Sequence, residues 1–442
     1  MPHPAPSPWH DLEPHTVWAH FATLCRIPRQ SKHEGVLRDH LQQWAHGLGL
    51  STTVDAAGNL IIRKAASAGR EHTPGVVLQG HLDMVCQKNS DTEHDFSRDT
   101  IRPVVRDGYL VAEGTTLGAD NGLGVAIILA VLQDTTLAHG PIEALLTVDE
   151  EAGMGGAQGL ASDVLQGRLM LNLDTEEWGE FYLGCAGGLD VNVARSGQAQ
   201  ALPAGLQSWQ ITLRGLRGGH SGVNIHEERG NAIKLLVRLL RDLERQAPLH
   251  LVKLRGGTAR NALPREALAT LAWPAAYADQ LAQTVSDWQA LLRHELTGVE
   301  PGLTIELSPA HAEQGLAPAE QAIWLTTLHA APHGVRRMSQ RVPGVVETSN
   351  NLGMVDLRPE GGSCNFMVRS LLDSGSQALA DELISLWSLS GTVAQAHGHY
   401  PGWTPNPESP LLALCQSVYL GEFGEASKVQ VIHAGLECGI IA

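Results

Sequence analysis

Apolar and polar positions along the chain fall into two regimes. In the first, short apolar runs of strand length alternate with helical stretches, and each run stops on a polar residue. Val76-Val77-Leu78-Gln79-Gly80 delivers His81, Leu82 and Asp83, a pair of polar groups that a buried strand has no packing reason to carry. Residues 125–132 form an apolar run too short to span a membrane and suited to a buried helix, and Asp120 sits at its start. Strands are predicted at 144–148, ending in Asp149-Glu150-Glu151, and at 169–173, ending in Asp174 with Glu176 and Glu177 beyond. Upstream, two helices break around Pro28, the second over 32–48 with a stop at Gly49, and 55–63 reads as a turn entering a strand. This alternation predicts an α/β half extending to about Ser196.

From Trp209 the pattern changes. A strand at 209–213 precedes a helix over 227–245 with Ile233, Leu236, Val237, Leu240 and Leu243 on one face. Strands at 249–254 and 267–273, a helix at 277–296 and a strand at 303–307 complete a split β-α-β arrangement. A second, weaker copy follows as a helix at 319–330, strands at 345–357 and 363–371, and a helix at 377–389. Residues 402–407 read as a turn back into the first half, followed by a helix at 409–419 and a strand at 429–432.

Composition narrows the classes. A chain of 442 residues, 43% hydrophobic, has room for two or three domains with sizeable cores. A formal net charge of −16 without a basic stripe argues against a nucleic-acid partner. Met1-Pro2-His3-Pro4-Ala5-Pro6 has no charged head followed by an apolar core, and no later run reaches spanning length, so a cytoplasmic protein with no membrane partner is expected. Six cysteines without Cys-x-x-Cys spacing suggest reduced thiols, with neither a disulfide framework nor a zinc knuckle.

The polar ends of the strands carry the chemistry. Taken singly, His81-x-Asp83 reads as a strand-end turn, Asp120 as an N-cap and 149–151 as a solvated acidic turn. Together, four element ends in one α/β segment each present His, Asp or Glu, and sites in such sheets form outside the carboxyl ends of the strands. Oxygen-rich ligation with one imidazole suits zinc, manganese or cobalt. His220, in Arg217-Gly218-Gly219-His220-Ser221-Gly222, reads either as a locally bonded turn histidine or as a ligand-facing group among glycines that permit close backbone approach. Arg369 could hold a carboxylate with its guanidinium fork or form a surface ion pair.

Gly80-His81-Leu82-Asp83, Leu117-Gly118-Ala119-Asp120-Asn121-Gly122, Thr147-Val148-Asp149-Glu150-Glu151 and Leu173-Asp174 resemble the ordered motifs of the M20 metallopeptidases, in their aminoacyl-histidine dipeptidase branch. Ile27-Pro28-Arg29-Gln30-Ser31 and Gly218-Gly219-His220-Ser221-Gly222 extend the likeness through nearly the whole chain. The resemblance implies an α/β, mixed-sheet zinc-peptidase catalytic domain with an inserted α+β lid of two ferredoxin-like halves. The domains would be 1–196 (catalytic, first part), 197–399 (lid and dimerisation) and 400–442 (catalytic return segment).

It further implies metal-dependent hydrolysis of dipeptides, of Xaa-His or β-alanyl-histidine type and other unblocked dipeptides, by a homodimer carrying two divalent ions. Zinc leads, with manganese or cobalt as alternatives. Asp120 would bridge the ions, His81 and Asp174 hold one, and Glu151 the other. Glu150 would be the general base, Asp83 would orient His81, and His220 would polarise the substrate carbonyl. Asn261 and Arg369 would hold the substrate carboxylate, and Gly435 and Glu437 belong to a loop in which Glu437 receives the free amino group. The family pattern also calls for a histidine in a His-Ser-Pro-like segment after that loop. The sequence stops at Gly439-Ile440-Ile441-Ala442, so a truncated chain with a weak second metal site and reduced activity is expected. Two alternatives stay open: an inactive, metal-binding dimeric scaffold, and an M20 deacylase or carboxypeptidase of other specificity.

Overall fold

The computed structural model describes residue 9, residues 12–89 and residues 91–442. The expectation drawn from Met1 to Pro6 therefore lies outside the described residues. The chain divides into two units, one comprising the residues up to Phe181 with Ser409–Lys428 and Ile440–Ala442, the other Tyr182–Glu408 with Val429–Gly439.

In the first unit, helices α1 (His15–Arg26) and α2 (Gly35–Gly47) precede strands β1 (Ser51–Val54), β2 (Leu60–Lys64) and β3 (Val76–His81). A hairpin of β4 (Pro103–Arg106) and β5 (Tyr109–Ala112) leads to α3 (Ala119–Gln133), β6 (Ile142–Thr147), the short α4 (Gly155–Gln158) and β7 (Leu169–Asn172). The sheet order is β1-β2-β6-β3-β7. Strand β3 runs parallel to β6 and β7, while β2 is antiparallel to both β1 and β6. The carboxyl ends of β3, β6 and β7 therefore share one edge, where the polar residues that follow them converge.

The apolar runs become the layers of this unit. All six residues of β6 are buried. Phe21 and Leu24 of α1, Leu37 and Leu41 of α2, and Val125, Ile128, Leu129 and Leu132 of α3 pack with Leu60, Ile62, Ala144 and Leu146 of the sheet. Each such large side chain contributes roughly 1.5–3 kcal/mol when fully buried. Strand β1 and the β4–β5 hairpin escape the sequence reading because they are short and none of their residues is buried. They carry no apolar run to announce them.

Strand β8 (Glu180–Cys185) is followed in the second unit by β9 (Gly187–Ser196), β10 (Ala199–Ala201), β11 (Leu206–Arg214), α5 (Ala232–Gln246), β12 (His250–Gly256) and β13 (Ala267–Pro274). Then come α6 (Ala278–Glu295), β14 (Thr304–Pro309), β15 (Gln314–Leu316), α7 (Pro318–Ala330), β16 (Gly334–Met338), β17 (Val346–Arg358), β18 (Gly361–Ser370), α8 (Asp373–Ser388) and β19 (Val393–Tyr400). Helix α9 (Pro410–Phe423), β20 (Lys428–Ile432) and α10 (Cys438–Ile441) complete the chain.

The large sheet of this unit has the order β14-β11-β13-β12-β17-β18-β9-β19, with β16 attached to β17. Its first four strands with α5 and α6 form one split β-α-β half, and its last four with α7 and α8 form another. The halves join where β12 pairs antiparallel with β17. The second half does not simply follow the first. It takes β9 from before the first half, so the first half is inserted between β9 and α7. The expected domain 1–196 included this strand, whereas β9 pairs along its length with β18 and over most of it with β19. Its alternation of buried Leu189, Val191 and Val193 with polar Asp190 and Asn192 announces a strand but not the sheet it joins.

Helix α5 begins five residues later than the periodicity suggests. The side chain of Asn231 accepts from the N–H groups of Ile233 and Lys234 at 3.0 and 3.2 Å, satisfying two of the donors a helix start leaves open. All six cysteines are free. No helix among the described residues is long and apolar enough to cross a membrane.

Candidate metal centre

The first unit gathers its polar strand ends around His81. This side chain, the last of β3, is 1% exposed. Its Nδ1 lies 3.2 Å from Asp83 Oδ1, and its Nε2 lies 3.0 Å from Asp120 Oδ1 and 3.6 Å from Asp174 Oδ1. Burial opposes a proton on the ring, but the carboxylates of Asp120, Asp174 and Asp83 outweigh it and hold the His81 pKa well above the ordinary imidazole value. A buried ring surrounded by three carboxylates attracts positive charge.

Asp83 is fully buried and acts as a hub. Its Oδ2 accepts from Ser31 Oγ at 2.7 Å and from the Glu151 N–H at 3.1 Å, and its Oδ1 accepts from the Glu150 N–H at 3.1 Å. Burial works against its charge, yet the His81 ring, Ser31 and the Glu150 N–H hold its carboxyl below the usual range. One carboxylate therefore lies beside the histidine and holds the backbone of the two glutamates together. The predicted acidic turn is thereby tied to the predicted His-x-Asp strand end.

Asp120 stands at the head of α3, preceded by Gly118 in the left-handed region at φ 72°. Its pKa is lowered, first by the hydrogen bond to His81. Asn121 turns the other way, donating from Nδ2 to the Leu173 carbonyl and to Asp174 Oδ1, both at 2.6 Å. The loop after β7 is thus docked onto the start of α3. A methyl group at Gly124 would sit 2.1 Å from the Leu173 carbonyl oxygen, so a side chain there is incompatible with this close approach.

Two overlapping groups of possible metal donors emerge. Donor atoms of His81, Asp120 and Asp174 lie within 4.8 Å of one another, as do those of His81, Glu150 and Glu151. Glu151 is pushed up to about 7 by burial and then by the charge of Asp120, against an opposing effect of His81. One imidazole and several carboxylate oxygens form a donor set that fits zinc or another divalent ion of similar hardness. The structure thus brings His81, Asp83, Asp120, Glu150, Glu151 and Asp174 into one cluster within the first unit.

The remaining candidates lie in the second unit. His220 forms an isolated bridge with Ala262, and the Asn261 carbonyl accepts from the Ser221 N–H at 2.8 Å. The Asn261 side chain is not drawn into this contact. His220 Nδ1 accepts from the N–H groups of Val223 and Gly222 at 3.0 and 3.3 Å, while Nε2 lies 3.3 Å from Arg369 Nη2. With Nδ1 accepting, the neutral ring carries its proton on Nε2, beside the Arg369 guanidinium. Burial, and then Arg369, lower the His220 pKa to about 4.

Arg369 is buried rather than paired at the surface, donating to Tyr400 Oη at 2.8 Å and to Ser221 Oγ at 3.3 Å. Glu437 is 1% exposed, and Gly435 is half-buried. Sequence reasoning missed Tyr400 because nothing around a lone tyrosine at a strand end signals an arginine partner. It also gave no role to Arg29, Ser31 and Asn121, although all three lie inside quoted motifs.

Comparison with known proteins agrees with this geometry. Residues 211–300 match the peptidase dimerisation domain of the M20 peptidases. Over 430 residues the chain is 45% identical to the cytosol non-specific dipeptidase of Escherichia coli (strain K12), covering 97% of this chain and 89% of that protein. Among solved structures it is similar to the aminoacylhistidine dipeptidase from Vibrio alginolyticus, with a TM-score of 0.84 and 44% identity over 98% of this chain and 89% of that one. A tripeptidase from Staphylococcus aureus, 17% identical, shares the fold with a TM-score of 0.51 over 96% of this chain and 86% of that one. With its dimerisation domain, its relative and its candidate metal-binding cluster in agreement, the chain belongs to the M20 family of metallopeptidases.

Proposed function

We propose that the protein is a metal-dependent dipeptidase that hydrolyses unblocked dipeptides, Xaa-His dipeptides such as β-alanyl-histidine among them. The observation that carries this reading is the convergence of His81, Asp120, Asp174, Glu150 and Glu151 at the carboxyl edge of the first unit's sheet. The names of its relatives, a non-specific dipeptidase and an aminoacylhistidine dipeptidase, supply the substrate class.

Asp120, His81 and Asp174, together with Glu151, would hold the two divalent ions, with Asp120 shared between them. When bound, such ions lower the pKa of water toward neutrality and offset charge on the attacked carbonyl oxygen. Asp83 keeps the His81 proton on Nδ1, which leaves the Nε2 lone pair facing Asp120 and Asp174. Glu150 is the general base: it takes a proton from the attacking water and returns it to the departing amine.

His220 and Arg369 offer donors suited to a carbonyl oxygen or a carboxylate. Of these, His220 polarises the scissile carbonyl, and Arg369, with Asn261, takes the substrate carboxylate. The loop carrying Gly435 and Glu437 receives the free amino group. Zinc is the ion favoured by the donor set, the matched dimerisation domain supports a homodimer, and the relative's name supports a cytosolic location.

The test is hydrolysis of β-alanyl-histidine and of a plain dipeptide by apo and zinc-reconstituted protein, with Glu150→Gln as control. Zinc-dependent turnover lost in the control supports the assignment. Zinc uptake without cleavage of either dipeptide rules it out.

A further inference from the structure

Arg29 is a cation in the interior of the first unit, 3% exposed. Its guanidinium meets no carboxylate within ion-pair distance among the described contacts. It donates instead to backbone carbonyls: Nη1 to Leu82 at 3.0 Å and to Asp83 at 2.7 Å, and Nη2 to Gly118. Leu82 and Asp83 directly follow the ligand His81, and Gly118 lies two residues before the ligand Asp120. The planar fork thus spans two loops that are far apart in sequence and that must present Nε2 of His81 and Oδ1 of Asp120 to the same point, 3.0 Å apart.

Two glycines make room for it. A methyl group on Gly118 would lie 2.5 Å from Nη2, and one on Gly122 would lie 2.8 Å from it. Both belong to the stretch Leu117-Gly118-Ala119-Asp120-Asn121-Gly122, where Gly118 also has a left-handed backbone and meets Met84, and Gly122 also meets Phe21. From the same short segment as Arg29, Gln30 bridges to Met84 and Ser31 donates to Asp83 Oδ2. Residues 29–31 therefore line the His81-Leu82-Asp83 loop with three successive contacts.

Leaving a guanidinium in the interior costs free energy unless its donors are satisfied, and burial lowers its pKa accordingly. A purely apolar residue would fill the same space without that cost. What an apolar residue cannot do is hold three carbonyls of two loops in one plane.

We infer that Arg29 is a positioning residue of the metal centre, a clamp that sets the separation of the His81 and Asp120 loops and thereby the affinity and geometry of the ion they share. This rests on the metallopeptidase reading given above, but it makes a separate claim. Partners that orient ligands typically carry about 10- to 100-fold of metal affinity.

The experiment compares the full chain with Arg29→Lys, Arg29→Ala and Gly122→Ala, the last keeping the charge while crowding Nη2 and the Phe21 ring. Zinc affinity is measured by calorimetric titration of the apo proteins, ligand geometry by the absorption spectrum after cobalt substitution, and apo stability by thermal melting. The clamp predicts roughly 10-fold or greater loss of zinc affinity in each variant, an altered cobalt spectrum, and recovery of Arg29→Ala affinity with added guanidinium. Unchanged zinc affinity in folded variants overturns it. So does an affinity loss that merely follows a fall in apo melting temperature across all three, because that pattern describes packing. Wild-type protein that binds zinc but cleaves no dipeptide would refute the proposed function and leave the clamp intact.

Discussion

Asp83 Oδ1 lies 3.2 Å from Nδ1 of His81, and the same carboxylate accepts the N–H groups of Glu150 and Glu151. The carboxylate beside the histidine, which the proposed function makes its orienting group, thus also fixes the turn that carries two further acidic residues. Replacing Asp83 with Asn leaves the volume but allows the ring to adopt the other tautomer. Zinc affinity measured by titration of the apo protein is expected to fall about 10- to 100-fold. An unchanged affinity would show that the ring is oriented by something else.

The proposed function divides the work between the adjacent Glu150 and Glu151. Glu150→Gln should lower turnover by roughly 10²- to 10⁴-fold while zinc content, measured by atomic absorption, stays close to that of the wild type. Glu151→Gln should lower metal content as well. Parallel loss of metal and activity in Glu150→Gln would contradict the division.

Close backbone approach disfavours any side chain at Gly124. In Gly124→Ala the new methyl would meet the Leu173 carbonyl oxygen at 2.1 Å, pushing the Asp174 loop off the start of α3. Overpacking of this kind typically costs about 1–3 kcal/mol. A lowered denaturation midpoint together with weaker zinc binding is expected. Wild-type values for both would mean that the loop can move without consequence.

Three histidines of the second unit respond to acid. Burial lowers His220 and His333 to about 4 and His433 to about 3, with Arg369 adding to the effect on His220 and His433. The folded values lie below that of a free imidazole, about 6.5, so the unfolded chain binds more protons between the two. The stability these residues contribute is complete above about pH 6.5 and is lost as pH falls toward 4. Urea midpoints at pH 7 and pH 5 should differ for the wild type and differ less for His433→Gln, which can keep the contact to Ser349 Oγ now made by Nε2 at 2.8 Å. Equal pH dependence in the two proteins would remove His433 from this group.

Much of the fold was legible because hydrophobic periodicity is local. Buried runs such as 76–81 and 142–147, and the apolar face of α5, appear in the sequence as runs or stripes. Local pattern could not say that β9 belongs to the second sheet, since alternation is a property of one strand and pairing a property of two. Nor could it reveal β1 or the β4–β5 hairpin, which bury too little apolar surface to leave a mark.

At the candidate site the same boundary holds. Residue types and spacing determined that His81, Asp83, Asp120, Glu150, Glu151 and Asp174 stand at element ends, because a buried strand or helix does not carry such groups without a partner. Tertiary structure decided what those partners are. Parallel pairing of β3 with β6 and β7 brings three strand ends to one edge, Asn121 docks the Asp174 loop onto α3, and Arg29 ties the loops that hold His81 and Asp120. Such contacts join residues dozens of positions apart through single hydrogen bonds. Sequence periodicity records which face of an element is buried, whereas a hydrogen bond between distant loops leaves no periodic trace.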